Sequence, residues 1–244
     1  MKVDILAFGV HPDDIELGCS GTLIKSIQQG KKVAIVDLTQ GELGTRGTAE
    51  TRAKEAAVAA TIMGVHAREN LQLADGFFQI NENSIRKVIT AIRKYQPSIV
   101  LCNAVEDRHP DHGRAAQLVD EASFLAGLRK VETTDTDGNL QAAWRPTYVM
   151  HYIQDRYLQP DFLFDISDVM DKKRAAILAY GTQFNVVEPG NEPTTYISSP
   201  DFLDTIIGRN QLFGKRIGVK YAEGFISKKM IGITDFNTIV QHTT

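Results

Sequence analysis

The chain of 244 residues is 43% hydrophobic and 23% charged, enough apolar material for one α/β domain with a sizeable core and no demand for a second. Its formal charge of -3 and pI near 6.1 exclude the basic surface that nucleic acid or an acidic membrane selects, which leaves small solutes as the expected ligands. Cys19 and Cys102 lie in apolar contexts without C-x-x-C spacing, so zinc-ribbon and thioredoxin-like sites are excluded; no apolar run approaches the roughly eighteen residues of a spanning helix, and Met1-Lys2 leads into a strand without a leader pattern, so a cytoplasmic protein is expected.

Val3 to Phe8 is a short apolar run ending at Gly9, and Leu17 to Gln29 then carries helical spacing at Leu17, Leu23, Ile24 and Ile27 before Gly30 stops it. Val33 to Leu38 predicts a second strand. A loop with Gly41, Gly44 and Gly47 follows, then an Ala-rich helix over Ala49 to Met63. A third strand over Glu69 to Leu73, a helix over Glu82 to Tyr95, the strand Ile99 to Cys102 and a helix over Arg114 to Leu125 continue the alternation. Residues near 129–145 form a polar, turn-rich excursion, after which strands near Tyr148 to Ile153 and Phe162 to Asp165 precede helices near Val169 to Tyr180 and Phe202 to Leu212. This α/β alternation predicts a single domain over 1–244, Rossmann-like, with a mostly parallel sheet and helices on both faces. Ligands of such sheets bind beyond the carboxyl ends of the strands, at the switch in strand order.

Two segments fall at those ends. Gly9-Val10-His11-Pro12-Asp13-Asp14 follows the first strand, and Arg108-His109-Pro110-Asp111-His112 follows the strand with Cys102. His11 and Asp14 are three apart, as are His109 and His112, so each segment can turn two side chains toward one point. Two imidazoles and a carboxylate suit zinc, with iron(II) or another divalent ion as an alternative, and three ligands leave a position open for water. His11, Asp14 and His112 are assigned as ligands. His109 competes for that role, but its place beside Arg108 and before Pro110 lets it face a substrate. Asp13 suits a general base for metal-bound water, or else a carboxylate orienting His11. Asp111 is expected to hold the His109 ring and raise its pKa, or to cap the following helix.

The run His11-Pro12-Asp13-Asp14 with Glu16, together with His109-Pro110-Asp111-His112, resembles the PIG-L/LmbE-like superfamily of zinc-dependent N-deacetylases. Leu6 to Gly9, Asp37-Leu38-Thr39, Glu106 to His112, Phe213-Gly214-Lys215 and Tyr221 to Phe225 are similar to its bacillithiol-pathway branch, over nearly the whole chain. The resemblance implies zinc on His11, Asp14 and His112, Asp13 as base, His109 as acid or oxyanion partner, an LmbE-like fold and a homo-oligomer. It also implies an amino-sugar substrate, N-acetylglucosaminyl malate, cleaved to glucosaminyl malate and acetate.

Malate brings two carboxylates, the natural partners of a guanidinium fork. Arg52 and Arg108 are the arginines expected there, with Arg46 on the glycine loop as a third candidate and Glu42 as a candidate for sugar hydroxyls. Tyr196 resembles a family aromatic near the pocket. His66 is expected at a helix end, His151 as a core histidine and His242 in a polar tail. A nucleotide-binding module is the rival reading, and it is weak: Gly9 is followed by carboxylates where a pyrophosphate needs bare amides. A phosphoesterase would call for a second metal.

Overall fold

A computed structural model describes residues 1–184, 193–236 and 239. Five parallel strands, β1 (Ile5–Gly9), β2 (Val33–Thr39), β3 (Ala67–Leu73), β4 (Ile99–Cys102) and β5 (Tyr148–Tyr152), are followed in the chain by β6 (Phe162–Asp165) and β7 (Ala222–Ser227). The sheet order is β3-β2-β1-β4-β5-β7-β6, with β7 antiparallel to both its neighbours. The chain first builds outward from β1 through β2 and β3, then returns to lay β4 on the other side of β1. The strand order therefore switches between β1 and β4, and both motifs follow those two strands.

Side-chain alternation decides what each face buries. Leu6 and Phe8 of β1 join Val36, Val100 and the helices α4 (Glu82–Tyr95) and α5 (Pro110–Ala126) on one face. Ile5 and Ala7 join Ile35, Leu101, Tyr152 and Phe225 on the other, where α1 (Asp14–Gly18), α2 (Ser20–Gln28) and α6 (Met170–Leu178) pack. Helices α3 (Ala49–Met63) and α7 (Phe202–Arg216) complete that layer. Among the described residues no helix is long and apolar enough to cross a membrane. The segment between α5 and β5 holds one isolated bridge, Thr134 with Leu140, and Arg93 of α4 ties it down through Leu128 O and Thr133 Oγ1.

Three expectations need correction. Strand β7 went unpredicted because its centre carries Glu223 and Gly224, residues depleted in strands. The single helix expected over Leu17 to Gln29 is two, starting at Asp14 and broken at Cys19, which has φ -144°. The break exposes helix-end groups that propensity cannot satisfy. Glu223 accepts the N–H groups of Gly21 (3.0 Å) and Thr22 (2.7 Å) at the start of α2, and Lys173 of α6 donates to Glu16 O (3.1 Å), Leu17 O (3.0 Å) and Glu223 (2.7 Å). Gly18 is required at the bend, since a Cβ there would lie 2.3 Å from the Tyr152 ring. Third, α5 begins at Pro110 rather than Arg114, because proline at the first helical position is preorganised for it. Asp111 and His112 thus sit in the first turn of a helix.

Lys173 and Glu223 are both fully buried, so losing one partner leaves the other charge unpaired in the core. Glu223→Ala is expected to destabilise the fold by about 3–5 kcal/mol, measured by urea unfolding; a loss below about 1 kcal/mol would contradict this account of the helix break.

Candidate metal centre and its pocket

The loop from β1 to α1 is shaped by its own side chains. His11 N donates to Asp14 Oδ2 at 2.8 Å and Val10 N to Asn103 Oδ1 at 3.0 Å, which folds the loop back over the end of β4. Asp13 sits at φ 136°, a backbone conformation that side-chain-bearing residues avoid and that is retained at sites where the side chain is needed. Its carboxylate is buried against α3, accepting from Arg52 Nη1 at 2.7 Å, while the same nitrogen donates to Pro12 O at 2.6 Å. Burial pushes the Asp13 carboxyl up to about 6; Arg52 opposes the rise and Asp14 adds to it. A carboxyl poised near neutrality is suited to taking and returning a proton.

Asp14 is the meeting point of the site. Its Oδ2 accepts from Asn103 Nδ2 (3.0 Å) and its Oδ1 from Gln154 Nε2 (3.0 Å). His112 Nε2 stands 3.1 Å from Oδ1 and His11 Nδ1 stands 3.6 Å from Oδ2. The opposite ring nitrogens are engaged by outer carboxylates: His11 Nε2 donates to Asp75 Oδ1 at 2.9 Å and His112 Nδ1 to Asp107 Oδ2 at 2.5 Å. Such carboxylate partners fix the tautomer and aim the free nitrogen of a metal-binding imidazole. Burial alone would lower both rings, yet Asp111, Asp75 and Asp14 carry His11 up to about 10, and Asp14 with Asp107 carries His112 up to about 9. Asp14 itself lies far below the usual carboxylate range, because His112 and His11 outweigh its burial. The carboxylates therefore demand positive charge between them, and a divalent ion meets that demand with the same nitrogens as lone-pair donors.

Two sets have their donor atoms within 4.8 Å of one another, His11 with His109 and His112 and His11 with Asp75 and Asp111, and Asp14 belongs to neither. Hydrogen bonding favours Asp14 over His109 as the third ligand. His109 caps α5, its Nδ1 accepting the Asp111 N–H at 3.2 Å, so the proton sits on Nε2 and that nitrogen is a donor. Asp75 and Asp111 face the His11 nitrogen that is already protonated.

The expected role of Asp111 is thus corrected. Its carboxylate accepts from Gly76 N (2.8 Å) and Arg114 (2.7 Å) and lies 3.7 Å from His11 Nε2; only its backbone touches the His109 ring. Burial, together with His11 and His112, leaves the His109 ring below its usual pKa and outweighs Asp111, which does act to raise it as expected. Arg52 lines the pocket; its Nη1 is held by Asp13 (2.7 Å) and Pro12 O (2.6 Å), so that nitrogen serves the Asp13 carboxylate rather than a substrate, while its Nε makes no hydrogen bond. Arg46 turns away from the site to Thr182 O (3.1 Å) and Pro193 O (3.3 Å), and the exposed Glu42 accepts from Asp75 N (2.8 Å). Arg108 stays at the rim, stacked 4.2 Å above the Tyr196 ring, and both side chains reach Asp155 (3.3 and 2.9 Å). His66 accepts from Val33 N on Nδ1 at 3.3 Å, His151 is a buried β5 residue, and His242 lies outside the described residues.

Asp75, Asp107, Asn103 and Gln154 are the site residues that sequence reading missed. Each follows a strand end by one to five residues, so rim position was the available signal, but none belongs to a paired motif. Asp75, Asp107 and Gln154, with His11, Asp13, Asp14, His109 and His112, line a cavity of about 520 Å³ that Leu43, Phe77, Arg108, Tyr196 and Arg209 also wall. That volume fits a small molecule.

The sequence pattern of the PIG-L family, described as GlcNAc-PI de-N-acetylase, matches residues 6–123. The chain is 30% identical over 230 residues to the diacetylchitobiose deacetylase of Thermococcus kodakarensis, covering 90% of this chain and 81% of that protein. Among solved structures it is similar to the conserved protein TT1542 of Thermus thermophilus (35% identity, TM-score 0.82, 95% of this chain and 98% of that one). It is also similar to the N,N'-diacetylchitobiose deacetylase of Pyrococcus horikoshii complexed with its inhibitor MPG (26% identity, TM-score 0.77, 92% and 83%).

The missed carboxylate Asp107 supplies a test of the centre. Asp107→Asn is expected to weaken zinc binding about 10- to 100-fold, as loss of such an orienting partner does; calorimetric titration giving wild-type affinity would show that His112 needs no aiming.

Proposed function

The chain belongs to the PIG-L family of de-N-acetylases, and from that membership we propose that it hydrolyses the acetamide of an N-acetylglucosaminyl group, with N-acetylglucosaminyl malate as substrate. The observation that carries the reading is the placement of Asp13, a buried carboxyl near neutrality, beside a donor set of His11, Asp14 and His112 on the floor of an open pocket. Zinc, or iron(II) in its place, would be held by His11, Asp14 and His112 and would supply Lewis acidity to the acetyl carbonyl and the attacking water.

The residues of the chain divide the remaining work. Asp13 takes the proton of the water as its oxygen adds to the acetyl carbon. The strained backbone and the Arg52 bond keep that carboxylate from turning onto the ligands. His109, neutral because its pKa is depressed, offers Nε2–H to the oxygen on which charge develops. The C–N bond breaks as Asp13 returns its proton to the sugar nitrogen, leaving acetate and a free amine. Arg108, exposed at the rim and oriented by Tyr196 and Asp155, takes a malate carboxylate.

Acetate release from N-acetylglucosaminyl malate and from N-acetylglucosamine tests both levels of the proposal. Asp13→Asn is expected to lower kcat at least about 100-fold at equal zinc content; unchanged turnover would remove Asp13 as base. Arg108→Ala is expected to raise KM for the malate conjugate about tenfold, the worth of roughly 1.4 kcal/mol, and to leave N-acetylglucosamine unaffected. Equal turnover of the two substrates by the wild type would reject malate while leaving the deacetylation reading intact.

A further inference from the structure

One buried imidazole has no task in this chemistry. His151, on β5 opposite Cys102 of β4, is fully buried. Its Nδ1–H donates to the backbone carbonyl of Asn103 at 2.9 Å, with the Cys102 sulfur 3.3 Å from the same nitrogen. Its Nε2 makes no hydrogen bond and stands 3.4 Å from Asp120 Oδ1 on α5. A buried polar nitrogen without a hydrogen bond is costly, so an apolar side chain would serve the core better if packing were all that mattered. Burial opposes charge on this ring, while Cys102 and Asp120 raise its pKa to about 11. Asp120 is shared with Lys228, beyond β7.

What the ring holds is Asn103. Strand β4 ends at Cys102, so the Asn103 carbonyl lies past the last paired residue of the strand, and the His151 Nδ1–H takes it. The carboxamide of the same residue is fully engaged at the site: Oδ1 accepts from Val10 N (3.0 Å), and Nδ2 divides between Asp14 Oδ2 (3.0 Å) and Gln154 Oε1 (3.0 Å). A shift of the Asn103 backbone would be passed to the Asp14 carboxylate and to the His11 loop together.

We propose that His151 is a positioning residue: through the Asn103 carbonyl it fixes the Asn103 carboxamide, and with it the orientation of the Asp14 carboxylate that receives the metal, with Asp120 as its counter-ion. This rests on the reading that Asp14 is a metal ligand. Asparagine at 151 places an amide nitrogen about where the imidazole Nδ1 stands and keeps the bond to Asn103; glutamine reaches past it toward Asp120.

Zinc affinity by competition with a chromophoric chelator, and Tm, are measured on the full chain. His151→Asn is expected to keep zinc affinity, and His151→Gln to weaken it about tenfold at a similar Tm, with Asp120→Asn also weaker. A purely structural histidine predicts equal affinities in the Asn and Gln variants, and wild-type affinity in His151→Gln overturns the proposal. If neither position-151 variant folds, the partly exposed Asp120→Asn decides: lower affinity at wild-type Tm supports the positioning role, and unchanged affinity overturns it. Asp14→Ala separates the two levels. Wild-type affinity there overturns the ligand assignment and the positioning role with it, whereas lost affinity there beside wild-type affinity in His151→Gln overturns the positioning role alone.

Discussion

The buried carboxylate of Asp14 is the constraint on which the rest of the site depends. It receives hydrogen bonds from the His11 backbone, from Asn103 past β4 and from Gln154 past β5, and it faces the free nitrogens of His11 and His112. Elements distant in the chain are thereby brought to one atom group at the switch between β1 and β4. Burying a carboxylate is expensive unless every lone pair is used. Here the cost is offset by neutral amides on one side and by imidazoles on the other, and the imidazole side is the one a cation can take over.

Behind this floor a second charged layer keeps α1 in place. Arg68 of β3 holds Asp37 of β2 in a two-pronged pair (2.7 and 2.8 Å) and reaches Glu16 of α1 at 2.6 Å, with Tyr180 donating to the same Glu16 oxygen. The Lys173–Glu223 pair then closes the break after α1. Rigid support of this kind is what lets Asp13 persist at a strained φ: the strain is local, and the elements flanking it cannot move to relieve it. Stability has been given up at the site and recovered in the layer beneath.

Much of this was readable from residue order. Strand and helix alternation placed both His-Asp segments on one rim, and the helices over Ala49 to Met63 and Glu82 to Tyr95 fall where the spacing puts them. What escaped were features whose cause is tertiary. Strand β7 reads poorly because Glu223 serves the start of α2 rather than the strand. Asp111 looked like a partner for its neighbour His109, but the first turn of α5 swings its carboxylate toward His11 and Gly76. Asp75 and Asp107 look like ordinary loop acids until the fold sets each against an imidazole. Arg52 reads as a clamp because a guanidinium fork suits a dicarboxylate, whereas the helix-to-loop packing buries it with its Nη1 on Asp13.

The competing donor sets differ by one residue, so the position of the ion decides between them. Anomalous diffraction at the zinc edge from zinc-soaked crystals should place a single ion about 2.0–2.2 Å from His11 Nδ1, an Asp14 oxygen and His112 Nε2, with His109 outside the coordination sphere. An ion bound by His11, His109 and His112 with Asp14 left out, or one seated between Asp75 and Asp111, would contradict the account.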